Sequence, residues 1–238
     1  MSRDPGVRAV LFDATGTLIE LREPVGTTYA RFAARFGADV PASRLEEAFS
    51  RVLASQPPCV FPGTNPAEAA AREREWWRRV VDDTFRAADG AALPSPAEAC
   101  FAALWDHFAG SDAWQLRAGA ADALRAIRAA GRRTGVISNF DHRLHSVLEA
   151  LEINGLLDIV VIPSEIGAAK PDPRIFHTAL DRLGLSGADA AYVGDRADTD
   201  AAGARDAGLR PIGVASLATL ADLPRVLGLD SGDTTAPR

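Results

Sequence analysis

Apolar positions along this chain follow two periodicities, and the switches between them divide it into three parts. The opening run "VRAVLF" (7–12) is short and largely apolar, as a strand buried on both faces of a parallel sheet would be. It stops at Asp13, and "TGT" follows as a turn. From Pro24 to about Gly110 the spacing becomes helical. "VGTTYARFAARFG" sets Val25, Tyr29, Phe32 and Phe36 three or four residues apart and closes on Gly37. "SRLE" (43–46) has the form of a capping box, and "SPAE" (95–98) repeats it with proline at the first helical position. "NPAEAAAREREWWRRVVDDTF" opens on an Asn-Pro start signal. No strand is expected here; the stretch reads as an insertion of about four helices.

From Gly119 onward helix and strand alternate. "ADALRAIRAAG" leads to "TGVIS", "HRLHSVLEAL" to "DIVVI", "PRIFHTALDRLG" to "AAYVG", and "DTDAAGARDAG" to "RPIGVA". Such alternation predicts an α/β domain with a parallel, Rossmann-like sheet. The expected organisation is a discontinuous α/β core of residues 1–22 and 112–238, interrupted by an all-helical unit at 23–111. The polar end, 229–238, is expected to be a disordered tail.

Composition narrows the classes. A chain of 238 residues with 47% hydrophobic and 24% charged residues has the make-up of a soluble globular protein with a sizeable core. The net charge of −6 argues against a general nucleic-acid partner. Cys59 and Cys100 lie far apart with no CxxC spacing, which fits reduced thiols in a cytoplasmic protein. The first residues lack the apolar length of a signal peptide, and no run approaches the ~18 apolar residues of a membrane helix, so no membrane partner is expected. A monomer or homodimer is the expected assembly.

Ligands of open α/β sheets bind beyond the carboxyl ends of the strands. Those ends carry Asp13 after the first strand, Ser138 and Asn139 after "TGVI", and Asp195 after "AAYVG", with Asp198 and Asp200 close behind. The loop after "DIVVI" carries Lys170, the only lysine among 26 basic residues. Arginine is a broad planar fork, whereas lysine is a compact point charge on a flexible stem, so a unique lysine suits a site that seats one ammonium among several oxygens. Clustered aspartates repel one another and call for a cation. With oxygen donors and no nearby histidine or cysteine, Mg²⁺ is favoured. A carboxylate beside Mg²⁺ can attack phosphorus, while the metal and an ammonium neutralise the phosphoryl oxygens.

Four segments in order resemble the motifs of the haloacid dehalogenase superfamily: "DATGTL" (13–18), "VISN" (136–139), "KPDPRIF" (170–176) and "VGDRADTD" (193–200). The helical insertion falls where one subfamily of those hydrolases carries its cap. A likeness to one group within the family, spanning nearly the whole chain, rests on "LREPVGTTYA", the "WW" pair, "WQL", "ISNFDHRL" and "KPDPRIF". The resemblance implies a phosphatase acting on a small phosphorylated metabolite. Asp13 would be nucleophile and Mg²⁺ ligand, with Thr15 lending its backbone carbonyl to the metal. Ser138 would bind phosphoryl oxygens, Lys170 would steady the nucleophile and the intermediate, and Asn139 would touch substrate. Asp195 would bind Mg²⁺, and Asp200 would assist directly or from behind.

Thr15 departs from the pattern. Phosphatases of this superfamily usually place a second aspartate there as general acid and base, and a hydroxyl carries protons poorly near neutral pH. Such help is worth ~10²–10⁴-fold. The same departure resembles metal-independent 2-haloacid dehalogenases of the family, although those usually show a serine–asparagine pair where this chain has Gly194-Asp195. A catalytically weak binding protein on the same fold is the third reading. The remaining polar and aromatic residues are expected to be structural. His107, His142, His145 and His177 read as surface residues, Asp198 as a bystander or cap, and Trp76, Trp77 and Trp105 as helical core. The arginines from Arg72 to Arg79 read as a solvated helix face.

Overall fold

A computed structural model of the chain describes residues 6–88 and 94–229. The expected tail falls, from residue 230 on, outside the described residues. Strands β1 (Ala9–Phe12) and β2 (Ile19–Leu21) precede four helices, α1 (Val25–Arg35), α2 (Ala42–Ser55), α3 (Pro66–Ala88) and α4 (Ala97–His107). The chain returns through β3 (Trp114–Leu116), α5 (Ala120–Ala129), β4 (Arg133–Ile137), α6 (Arg143–Ala150) and β5 (Ile159–Val161). It ends with α7 (Pro163–Ile166), α8 (Pro173–Leu183), β6 (Ala190–Gly194), α9 (Ala202–Asp206), β7 (Arg210–Gly213) and α10 (Leu223–Val226).

Five strands form one parallel sheet in the order β5-β4-β1-β6-β7. β1 lies at its centre, and all four of its residues are fully buried. Val10 and Phe12 point into a core with Leu124, Ile127, Leu144 and Val147, whereas Ala9 and Leu11 face Ile175, Phe176, Leu180 and Leu183 on the other side. Burial on both faces is why β1 shows no polar alternation. Each large apolar side chain so buried contributes roughly 1.5–3 kcal/mol.

A second sheet consists of β2 paired antiparallel with β3, Ile19 opposite Leu116 and Leu21 opposite Trp114. This ribbon carries the chain out to the helices and back. It is absent from the sequence reading because its strands are three residues long and their partners lie almost a hundred residues apart.

Helices α1–α4 build their own core around Tyr29, Phe32, Leu45, Phe85, Phe101 and Leu104. The Asn-Pro signal is a real start: Asn65 Oδ1 accepts the Glu68 N–H at 3.0 Å ahead of α3. Neither expected capping box forms. α2 begins at Ala42 without a side-chain cap, and the Glu46 carboxylate accepts the Gly26 N–H of α1 instead (2.5 Å). α4 begins at Ala97 without one, and Glu98 pairs with Arg74 of α3 (3.2 Å). In both cases a tertiary partner captures the glutamate that a local cap would use. Among the described residues no helix is long and apolar enough to cross a membrane.

Candidate active site

The register of the sheet explains why the polar residues meet. Phe12 is level with both Val136 on β4 and Val193 on β6, so the residues just beyond the three strands leave the same edge together. The Asp13 N–H continues the ladder onto the Val193 carbonyl (2.9 Å), and the Ser138 N–H does likewise onto Val161 (3.1 Å). Asp13, Ser138, Lys170 and Asp200 are all buried. Thr15 is exposed on the turn that follows Asp13, where its backbone bridges to Ile19. The Arg117 Nη1 group, arriving from the end of the ribbon, donates to the Gly16 carbonyl and pins that turn.

Lys170 sits at the centre with its side chain 3% exposed. Its ammonium reaches Asp13 Oδ1 at 2.7 Å, Asp200 Oδ1 at 2.6 Å and the Tyr192 hydroxyl at 2.9 Å. Three protons meet three oxygens, which accounts for the unique lysine: a planar fork would not fit this tripod. Tyr192 donates to the Ile137 carbonyl at 2.8 Å, and its hydroxyl also lies 3.3 Å from Asp200 Oδ1. Burial, then the charges of Asp13 and Asp200, push its pKa well above the usual tyrosine value, so it remains a neutral donor. Sequence reasoning missed Tyr192, because inside "AAYVG" nothing separates it from a core aromatic.

Asp13, Asp195 and Asp200 each bring a carboxylate oxygen to within 4.8 Å of the others. Two glycines make room for them. A Cβ on Gly16 would lie 2.4 Å from an Asp195 oxygen, and one on Gly194 would lie 2.5 Å from an Asp200 oxygen. Asp195 is exposed at the rim of the site; the loss of surrounding water, and then the charges of Asp13 and Asp200, raise its pKa above the ordinary carboxylate value. Asp200 Oδ2 accepts the Arg196 N–H (3.0 Å) within a wide π-turn, Ala197–Ala201, that opens the segment leading into α9. An oxygen-only donor set in a glycine-lined cradle fits a hard divalent cation such as Mg²⁺.

Asn139 has a partner in Lys170. Its side-chain amide donates to the Lys170 carbonyl (3.0 Å) and accepts the Lys170 N–H (2.7 Å), so it clamps the lysine's backbone. Asp198 is exposed and pairs with Arg196, in keeping with a bystander.

Other expected surface residues turn inward. His142 is half-exposed and bonded through Nδ1 to Glu73 (2.5 Å), which is 1% exposed, whereas the arginines of the same stretch, Arg72 and Arg79, face solvent as expected. Glu73 lies three residues before Trp76 on the apolar side of α3, which is the signal that could have found it. The His107 ring packs against Phe32 and Phe108, and burial lowers its pKa. Neither histidine is the plain surface residue predicted. His145 and His177 are exposed.

Comparison with known proteins places these features among relatives. A family model described as haloacid dehalogenase-like hydrolase matches residues 7–208. Haloacid dehalogenase-like hydrolase domain-containing protein 3 of Bos taurus is 35% identical over 212 residues, covering 88% of this chain and 82% of its own. Rhythmically expressed gene 2 protein of Drosophila melanogaster is 31% identical over 212 residues, 84% of this chain and 80% of its own. Among solved structures, a dehalogenase with an intermediate complex superposes with a TM-score of 0.67 at 21% identity, covering 93% of this chain and 97% of that one. A phosphatase of the same fold from Thermococcus onnurineus superposes with a TM-score of 0.63 at 20% identity, over 93% and 98%.

Proposed function

The chain belongs to the haloacid dehalogenase-like hydrolase family, and we propose that its reaction is the hydrolysis of a small phosphate monoester through a phosphorylated Asp13. The observation that carries this reading is the crowding of Asp13, Asp195 and Asp200 around one ammonium. Three carboxylates against one lysine leave a negative site that a phosphate dianion could not approach without a further cation. Displacement of halide from a 2-haloacid needs only the single nucleophilic carboxylate.

Mg²⁺ bound by Asp13, Asp195 and the Thr15 carbonyl, with Asp200 beside it, would supply charge neutralisation at the phosphoryl oxygens. The chain's own groups do the rest. Lys170 holds Asp13 Oδ1, leaving the other oxygen to attack phosphorus. As the Asp13 O–P bond forms, the bond to the alcohol oxygen breaks, and the departing alkoxide takes up a proton from solvent water. Water then attacks phosphorus and loses a proton to solvent, the Asp13 O–P bond breaks, and the carboxylate and inorganic phosphate are released. Ser138 donates to the phosphoryl oxygens, and Asn139 keeps Lys170 in register. Residues 23–111 act as the cap that closes over the cleft and selects the substrate. Thr15 supplies no proton at neutral pH, so alkyl phosphates turn over slowly.

One observation favours a second reading, metal-independent dehalogenation: the absence of an acid at Thr15. A metabolite panel of phosphate esters and 2-haloacids, assayed with Mg²⁺ and with a chelator, separates the two. Phosphate release that needs Mg²⁺ and disappears in Asp13→Asn supports the phosphatase. Halide release that is indifferent to the chelator would replace it with the dehalogenase.

A further inference from the structure

Beyond Ser138 and Asn139 the same loop leads into α6 and packs against the helical insertion. Arg143 and Asp141 form a buried pair: the Arg143 N–H and Nε donate to Asp141 Oδ1 (3.0 and 2.8 Å), and Nη2 donates to Oδ2 (2.6 Å). Burial alone would raise the Asp141 pKa, but the Arg143 charge and hydrogen bonds hold it below the usual range. The guanidinium carbon lies 3.8 Å from the centre of the Trp105 ring on α4 and 5.2 Å from that of Trp77 on α3. Between the two, the His142 backbone N–H and Nδ1 both meet Glu73 Oε2 of α3 (3.2 and 2.5 Å). Trp105 also packs on the His142 ring. His142 and Arg143, where the core loop enters α6, are therefore gripped by two helices of the insertion.

Glu73, Asp141 and His142 are close enough to suggest a second metal site, and Glu73 Oε1 has no hydrogen-bond partner. Arg143 argues against it: the guanidinium already occupies both Asp141 oxygens and would repel a cation. The cluster is a joint.

We propose that Arg143 is a positioning residue for the reaction, seating the 138–143 loop in the Trp77–Trp105 clamp and thereby setting Lys170 against Asp13. Each link is a contact. Asp141 and the two tryptophans hold Arg143, the loop carries Asn139, Asn139 grips the Lys170 backbone on both sides, and Lys170 reaches Asp13. Docking of the insertion is read at the nucleophile through one short loop, the kind of packed path along which coupling travels. The activity consequence rests on the phosphatase reading; the placement of Lys170 does not.

Because Lys170 is the only lysine, protein labelled with ¹³C and ¹⁵N in lysine alone gives one side-chain NMR signal for it. The unsubstituted chain is compared with Trp105→Leu, Arg143→Met, the conservative Trp105→Phe, and Arg86→Ala, which removes an exposed ion pair of α3. The expected result is a Lys170 signal displaced and broadened in Trp105→Leu and Arg143→Met, largely restored in Trp105→Phe and unchanged in Arg86→Ala. Circular dichroism and a cooperative melt confirm that each variant is folded. On a phosphate ester, Trp105→Leu lowers kcat about tenfold and shifts KM by less than about twofold. If Arg143→Met does not fold, Trp105→Leu decides alone. An unmoved Lys170 signal in folded Trp105→Leu overturns the proposal. A wild type that releases no phosphate removes the phosphatase reading, and the lysine signal still answers the positional question.

Discussion

At position 170 the choice between lysine and arginine is decided by three oxygens set around one nitrogen. Lys170→Arg keeps the charge but forces a flat group into a tripod, so kcat on phosphate esters is expected to fall on the order of a hundredfold. Steady-state kinetics on folded protein tests this, and near-normal turnover would mean that charge alone suffices. Thr15 is the opposite case, a residue whose side chain makes too little available. Thr15→Asp should speed alkyl phosphates by up to ~10²-fold and activated aryl phosphates far less, because only a poor leaving group needs the proton. Equal gains on both would place the limit elsewhere. At the exposed Asp195, local loss of water and the neighbouring charges of Asp13 and Asp200 disfavour the ionised form, so Asp195→Asn should be more stable than wild type without metal while losing activity. Urea melts in chelator check the sign. Most of these residues were legible in the sequence, since each ends a strand or lies beside one. Tyr192 was not, because a buried tyrosine inside an apolar strand gives no sign that its hydroxyl reaches a site.

At the scale of elements, turns and loops decide how the carboxylates meet. Gly16 has φ +82° and faces Asp195, so Gly16→Ala is strained twice, by its backbone and by its methyl group. It should destabilise the fold by about 1–3 kcal/mol and abolish any Mg²⁺-induced stabilisation, measured by thermal melts with and without the ion. The joint between α3 and the loop before α6 is sensitive to pH. The Glu73 hydrogen bond raises the His142 pKa more than partial burial lowers it; Glu73 and Asp141 also raise it by charge, and Arg143 opposes them. A raised histidine stabilises the fold fully below its unfolded pKa of about 6.5 and loses that contribution as pH rises through the folded value. The stability gap between wild type and His142→Gln should therefore be widest below pH ~6.5 and shrink as pH rises above it. A gap that widened with pH would reverse the assignment. Helical spacing along α3 put Glu73 on the apolar side with Trp76, yet it could not name His142 as the partner that covers it.

For the whole molecule, a cation at the acidic edge would tie together strands β1 and β6 and the turn before α9 in a single step. Mg²⁺ at a hundred times its dissociation constant should add about 2.7 kcal/mol to the unfolding free energy, lost in Asp195→Asn. The chain's order of apolar runs already implied an α/β sheet with a helical insertion, because strand and helix periods are local and an aspartate ending a buried strand has to stand at the sheet's edge. The motif residues were readable for the same reason. What required the tertiary structure were the pairings between distant segments: Glu20 with Gln115 across the ribbon, Glu73 with His142, Asn139 with Lys170, and Arg143 between Trp77 and Trp105. Their partners lie tens of residues apart, and which side chains share a space depends on how whole elements pack.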